Sequence, residues 1–287
     1  MRVVVVGSRG FIGTALAKSL MRSGDDVICL SSSEEGGINP KTGLFEQSTG
    51  WADEADCFVH LSQSPALAAQ PPDPAHGLAV NLVSAVQTAM EAIRVGASRL
   101  IYASSGSVYE PSFEPLTELS PLITDNWYAM SKVFAEQALR RFSGEIDICI
   151  LRLFGVYGPK QQARLIPTLV NKISNQQAIT LAPGSITDKN PSGFEISLTH
   201  VDDAVKIIEH IMLDGGCGTL NVAGDDVMSI KEISMILGER LSENPIFEIQ
   251  ENCRPGNLIS DNSKLDQYYS GDKISFRDGI RDIIDAR

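Results

Sequence analysis

An α/β fold with a doubly wound parallel sheet is predicted by three observations. The chain opens on four β-branched residues, Val3-Val4-Val5-Val6, a run that suits a strand buried on both faces. A glycine-rich turn and a helical pattern follow it directly. Strand-like apolar runs then alternate with helical patterns as far as Leu153, the rhythm of βαβ units. Right-handed crossovers turn that rhythm into a Rossmann-like doubly wound parallel sheet, here with a smaller C-terminal substrate-binding lobe.

The elements follow one another along the chain. After Val6, the turn Gly7 to Gly13 gives way to a helix over Thr14–Met21, which Gly24 ends. Val27–Leu30 is the second strand, Ser31 to Gly50 is polar and unassigned, and Cys57–Leu61 is another strand. Pro65 to Pro74 is read as a loop, too rich in proline for a helix. A helix is expected over Leu78–Val95, a strand over Arg99–Ala103, a loop over Ser104–Pro121 and a helix over Asn126–Phe142. Ile146–Leu153 is counted as a sixth strand. Beyond it the pattern loosens: helices over Ile166–Ser174, Ala204–Met212 and Ile230–Leu241 (capped by Ser229), one strand over Thr219–Ala223, and a polar tail from Pro255.

Composition excludes several function classes. The 287 residues are 43% hydrophobic and 21% charged, as in ordinary globular proteins, and no apolar run reaches the roughly 18 residues of a membrane helix. With 24 basic and 36 acidic residues the net charge is −12, so nucleic acid is not an expected partner. Cys29, Cys57, Cys149, Cys217 and Cys253 form no C-x-x-C pair and read as free thiols of a cytoplasmic protein. No metal site is expected, because His60, His76, His200 and His210 show no ligand spacing. Met1 leads straight into Arg2 and the first strand, so the start reads as the edge of a domain rather than a leader.

Three motifs carry chemistry. Gly7-Ser8-Arg9-Gly10-Phe11-Ile12-Gly13 follows a buried strand and opens a helix, the context in which glycines bring backbone and a helix N-terminus against a pyrophosphate. Tyr128 and Lys132 stand at i, i+4 on one helix face. A phenol is a poor base near neutrality, and a nearby cation favours its phenolate. Alone, that pair reads as a packed tyrosine beside a solvated lysine; a partner gives it weight. Ser104-Ser105-Gly106-Ser107-Val108-Tyr109, just past a strand end, supplies hydroxyls at the sheet edge where such folds bind ligands.

At these residues the chain resembles the extended short-chain dehydrogenase/reductases, more narrowly the NAD(P)-dependent epimerase/dehydratase branch that acts on nucleotide sugars. The likeness runs nearly end to end. It takes in His60-Leu61-Ser62, Asn81, Leu151 to Pro159, His200-Val201-Asp202-Asp203-Ala204, Asn221-Val222-Ala223-Gly224 and Arg254-Pro255-Gly256-Asn257. It implies that Tyr128 is the acid/base, that Lys132 holds the cofactor ribose and lowers the tyrosine pKa, and that Ser105 binds the reacting oxygen. It places Gly7, Arg9, Gly10, Phe11, Ile12, Gly13, Ser31, Ser32, Leu61, Ser62, Asn81, Ser104, Phe154 and Val156, with Tyr128 and Lys132, around the cofactor. Ser107, Arg164 and Arg254 fall to the substrate. Residues 1–155, with returning segments near 194–224, become the dinucleotide-binding domain, and 156–287 mainly the substrate lobe. By the same likeness, the helices Leu78–Val95 and Asn126–Phe142 pair with a second copy in a homodimer.

Departures from the family pattern sharpen the expectation. Where NAD-specific members carry an acid after the second strand, this chain has Leu30-Ser31-Ser32-Ser33, and with Arg9 these favour NADP, while Glu34 and Glu35 keep NAD open. Gly106 and Ser107 replace the acidic pair of the 4,6-dehydratases, so dehydration is not expected. Ser107 and Arg164 replace the cysteine and histidine of the GDP-fucose synthase branch, which argues against that double activity. Gly155 stands in place of a phosphate-binding asparagine, and Glu195 to Thr199 lacks an arginine common there, so a standard UDP-sugar is in doubt. The leading expectation is an NADP-linked 4-keto sugar reductase. The alternatives are a nucleotide-sugar 4-epimerase with retained NAD and a non-catalytic NADP sensor.

Overall fold

The computed structural model describes residues 1–32, 37–45, 50–162, 164–216 and 218–285. Strand β1 (Arg2–Val6) leads into α1 (Phe11–Arg22) and β2 (Asp26–Leu30), followed by β3 (Cys57–His60). A continuous helical stretch comes next: α2 (Pro74–Leu78), a π turn (Ala79–Val83) and α3 (Ser84–Arg94). Strand β4 (Arg99–Ser105), α4 (Trp127–Leu139) and β5 (Asp147–Leu153) end the regular alternation. The second half carries β6 (Val156–Tyr157), α5 (Leu165–Ser174), β7 (Ile179–Leu181), β8 (Glu195–Ser197), β9 (Thr199–His200), α6 (Val201–Asp214) and β10 (Thr219–Val222). It closes with β11 (Val227–Ser229), α7 (Ile230–Leu241), β12 (Phe247–Ile249), α8 (Leu265–Tyr268), α9 (Phe276–Gly279) and α10 (Arg281–Asp285).

The central sheet runs β2-β1-β3-β4-β5-β10 with every neighbouring pair parallel. The chain leaves β1 for β2 on one side and returns to β3 on the other, so the switch point lies between β1 and β3, directly behind Gly7. The strand counted from sequence as the sixth is the fifth in chain order. Between β2 and β3 the described residues give only an isolated bridge of Ile38 with Phe45.

Helices cover both faces. Val3, Val5, Ile101 and Leu151 pack with Leu16 of α1 and Ile207 and Ile211 of α6. Val4, Phe58, Leu100 and Tyr102 pack on the opposite face with Ala85 and Ala89 of α3 and Ala135 and Leu139 of α4. All four valines of β1 are fully buried, so the unbroken β-branched run is explained by two covered faces. Each such side chain contributes about 1.5–3 kcal/mol by leaving water. A second core unites α5 (Ile166, Val170), α7 (Ile233, Leu237) and the tail residues Phe276 and Ile280. The polar tail thus anchors through a few apolar side chains.

Two expectations need correction. The Pro65–Pro74 stretch contains a 3₁₀ turn at Pro65–Ala68, and the next helix begins four residues before its expected start, at Pro74. Proline suits the first helical position because that N–H has no intrahelical partner, and Asp73 caps the turn by accepting from His76 N at 3.0 Å.

Candidate active site

The glycine loop is shaped by contacts that admit no side chain. Gly7 has φ +87°, and a Cβ there would lie 2.7 Å from Ser62 N; a Cβ on Gly13 would lie 2.1 Å from Gly7 O. Gly7 N donates to Leu30 O at 2.7 Å, tying the turn to the end of β2. Gly10 stands as the N-cap of α1 with no side-chain cap and no acid follows in the first turn, leaving the N-terminal dipole uncompensated by side chains. The buried Ser8 hydroxyl has no protein partner. Backbone donors, a cradle without Cβ atoms and an orphaned hydroxyl together fit a phosphate-bearing dinucleotide. Arg9 and Gly10 are exposed at this turn, Phe11 and Ile12 half-buried, Ser31 buried and Ser32 exposed. Ser33, Glu34 and Glu35, named in the expectation of NADP or NAD, lie outside the described residues.

Ser105 and Tyr128 meet at the C-terminal end of β4. Ser105 Oγ accepts from Ser107 N at 3.1 Å, and its side chain stands close enough to the Tyr128 phenol to lower that group's pKa. Burial pushes the phenol above its ordinary pKa, while the Ser105 hydroxyl and the Arg164 charge pull it down. Asn126 caps α4 by accepting from Ala129 N at 2.9 Å, which fixes the turn that carries Tyr128. Asn81 braces the same turn: it accepts from Ser64 N at 2.9 Å and donates to Ser131 Oγ at 2.8 Å, and Ser131 donates to Tyr128 O. Asn81 is fully buried, and both ends of its amide are engaged by these serines.

Lys132 sits one turn further along α4, almost fully buried. Its ammonium donates to Ala103 O at 2.8 Å and lies 4.8 Å from the centre of the Tyr102 ring. Burial lowers its pKa to about 8, against an opposing pull from Glu136. The Arg164 charge joins the Ser105 hydroxyl in drawing the phenol down against the effect of burial. Beneath Tyr102 stacks His60, fully buried and held near a pKa of about 3 by desolvation and the Lys132 charge.

Ser104, grouped with the cofactor by sequence, donates its hydroxyl to Glu136 Oε1 at 2.6 Å. Successive strand residues face opposite sides, so Ser104 points to α4 while Ser105 stays at the edge. Glu136 also receives Arg152 at 3.0 and 2.6 Å and Arg140 at 3.0 Å. Arg152 continues to Tyr109 OH at 2.8 Å, and Tyr109 donates to Asn221 Oδ1 at 2.6 Å. Sequence reasoning missed this network and Ser8. The available signal was Y-x-x-x-K-x-x-x-E, which sets Glu136 on the same helix face as Tyr128 and Lys132.

The remaining candidates are spread more widely. Leu61 is half-buried after β3, and Ser62 is buried against Gly7. Phe154 is buried with its ring against Gly106, and Val156 is half-buried. Gly155 has φ +42°, and a Cβ there would lie 2.3 Å from Ser197 O, so local packing excludes the family's asparagine at this position. Ser107 is exposed beside Ser105. Arg164 is the exposed N-cap of α5, an end with no side-chain cap. Arg254 is half-buried, donating to Asn257 Oδ1 at 2.9 Å and Ala182 O at 3.0 Å, with its guanidinium 5.4 Å from the Phe113 ring centre.

A switch-point glycine loop beside a Ser–Tyr pair defines a dinucleotide-dependent enzyme of the short-chain dehydrogenase/reductase kind. The chain belongs to the NAD dependent epimerase/dehydratase family, whose model matches residues 3–223. It is 25% identical over 205 residues to a putative UDP-glucose 4-epimerase of Methanocaldococcus jannaschii, covering 64% of this chain and 67% of that one. It is 23% identical over 312 residues to UDP-glucuronic acid decarboxylase 6 of Arabidopsis thaliana, covering 98% and 87%. Among solved structures, the Thermus thermophilus UDP-glucose 4-epimerase in complex with NAD has a TM-score of 0.78 at 20% identity, covering 99% of this chain and 98% of that one. The NAD-dependent hexosamine 5,6-dehydratase of tunicamycin biosynthesis has a TM-score of 0.81 at 20% identity, covering 99% and 96%. These likenesses carry the fold. No helix among the described residues is long and apolar enough to cross a membrane.

Proposed function

We propose that the protein oxidises and reduces a ring carbon of a nucleotide-activated sugar, using a dinucleotide held by the Gly7–Gly13 loop. The observation that carries this reading is the meeting of Ser105 and Tyr128 at the strand end, with Lys132 one turn away on α4. Such a dinucleotide supplies reversible hydride transfer when bound. Ser105 and Tyr128 hold the sugar oxygen between two hydroxyls. Tyr128, kept protonated by burial, donates its proton to that oxygen in the direction of reduction and takes it back in the direction of oxidation. Lys132 orients toward the cofactor ribose with the ammonium protons that Ala103 O leaves unused. Arg164 and Arg254 face the substrate's phosphates.

Two finer readings follow. The names of the relatives favour a 4-epimerase that keeps NAD, returning the sugar to the opposite configuration at one carbon. Arg9 with Ser31 and Ser32 after β2 favours an NADP-linked 4-keto sugar reductase, because hydroxyls and a guanidinium suit a 2′-phosphate where an acid would repel it. Mass spectrometry of the dinucleotide released from purified protein, before and after dialysis, separates them. Retained NAD removes the Arg9 argument and points to an epimerase cycling its own cofactor. NADP that washes out and rebinds points to net redox on a keto sugar.

Residues 1–155 with segments near 194–224 serve the dinucleotide in this reading, and 156–287 mainly the sugar. A second copy of the chain is the proposed partner, supported by Val83, Met90 and Phe134 standing 40%, 52% and 41% exposed along the helical stretch to α3 and on α4. Five cysteines with no C-x-x-C pair among them support a reducing, cytoplasmic setting.

A further inference from the structure

The buried groups that the mechanism leaves unused converge on Glu136. Its side chain is wholly inaccessible, yet it carries a full charge between two arginines, one of which, Arg152, is also buried. A buried ion pair is weak evidence for stability, since apolar residues of similar volume would serve as well. Its position suggests another use. Glu136 lies on α4 one turn beyond Lys132 and two beyond Tyr128. Its Oε1 takes the hydroxyl of Ser104, the immediate neighbour of Ser105. Arg152 stands opposite Ser104 in the β4–β5 register and clamps the same carboxylate, so helix and strand end are joined at one point.

We propose that Glu136 is a positioning residue of the active site, holding Ser105 through Ser104 and setting a negative charge one helical turn beyond Lys132. The inference rests on the catalytic reading of Ser105, Tyr128 and Lys132 given above. The network extends from Arg152 through Tyr109 to Asn221, so the strand end is pinned on its second side by β10. Lys132 is faced by Glu136 from its own helix, by the Tyr102 ring from β4 and by neutral His60 from β3. Among these, Glu136 is the group that supplies a negative charge, and it favours the ammonium against the pull of burial.

The test uses the full chain and four variants. Ser104→Ala removes one hydrogen bond and leaves the ion pair intact; Ser104→Thr keeps the hydroxyl. Glu136→Gln keeps the shape and removes the charge, and Tyr128→Phe is the control. Nitrogen NMR titration of the Lys132 ammonium needs no substrate. Its midpoint is expected to fall by about one pH unit in Glu136→Gln and to stay in place in Ser104→Ala. A crystal structure of Ser104→Ala should show the Ser105 hydroxyl displaced from Tyr128. With UDP-glucose as the probe sugar nucleotide, kcat should drop about tenfold in Ser104→Ala with KM unchanged, and Ser104→Thr should recover it to within about threefold.

An unmoved Lys132 midpoint in Glu136→Gln, or an undisplaced Ser105 in Ser104→Ala, overturns the proposal and leaves Glu136 a structural residue. If Glu136→Gln does not fold, Ser104→Ala decides. Activity retained in Tyr128→Phe overturns the catalytic reading itself, a result separate from any of these.

Discussion

Tyr128 and Lys132 are set in opposite directions by the same burial. Desolvation raises the phenol and lowers the ammonium, so near neutrality the site holds a protonated acid beside a lysine close to losing its charge. Replacing Tyr128 by Phe should cut turnover by about 10²–10⁴ while dinucleotide affinity, measured by titration calorimetry, stays within about tenfold. Lys132 is charged below about 8 and neutral above it, so kcat should decline as pH rises through about 8. Stability should move the other way. The folded pKa lies below the ordinary value of 10.5, so the cost of burying the charge is present below about 8 and relieved between about 8 and 10.5. Urea midpoints of the parent should rise relative to those of Lys132→Met across that window. Equal pH trends in the two proteins would remove the account.

Among the elements, those with a strong period were legible in the sequence. Val3–Val6 announces a strand covered on both faces, and Gly7–Gly13 a turn where backbone meets backbone, because in each case local chemistry alone restricts the conformation. Gly13→Ala should abolish dinucleotide binding and destabilise the fold by about 1–3 kcal/mol, since the new Cβ meets the Gly7 backbone rather than a side chain that can move. Binding within threefold of the parent would show that the loop is not the cradle. The early start of α2 was less legible because proline breaks a helix interior but suits its first turn. The Glu136–Arg152 pair was only half legible: Y-x-x-x-K-x-x-x-E marks Glu136, but its partners come from β4, β5 and the loop after β4, and only strand register brings Arg152 opposite Ser104. Gly155 reads as a lost ligand in sequence and as a packing requirement in three dimensions.

At the scale of the whole molecule, helices α3 and α4 carry both an exposed apolar face and, on α4, Tyr128 and Lys132. A second copy seated there would stiffen the helix that holds the chemistry. Sedimentation should find a dimer at micromolar concentration, and Phe134→Glu should shift it toward monomer and lower kcat without removing the dinucleotide. A parent that sediments only as monomer would exclude the pairing. The sheet itself carries one more consequence. Its outermost strand on the catalytic side, β10, is drawn from Thr219–Val222, long after β5 has been made. While the chain is being synthesised, β5 therefore emerges as an open edge that waits for residues far downstream. Tyr109 and Arg152 wait with it for Asn221. Ser104, Glu136, Arg152 and Lys132 can join within the first 153 residues, but the link from Tyr109 to Asn221 that braces them from β10 can form only once residue 221 has emerged.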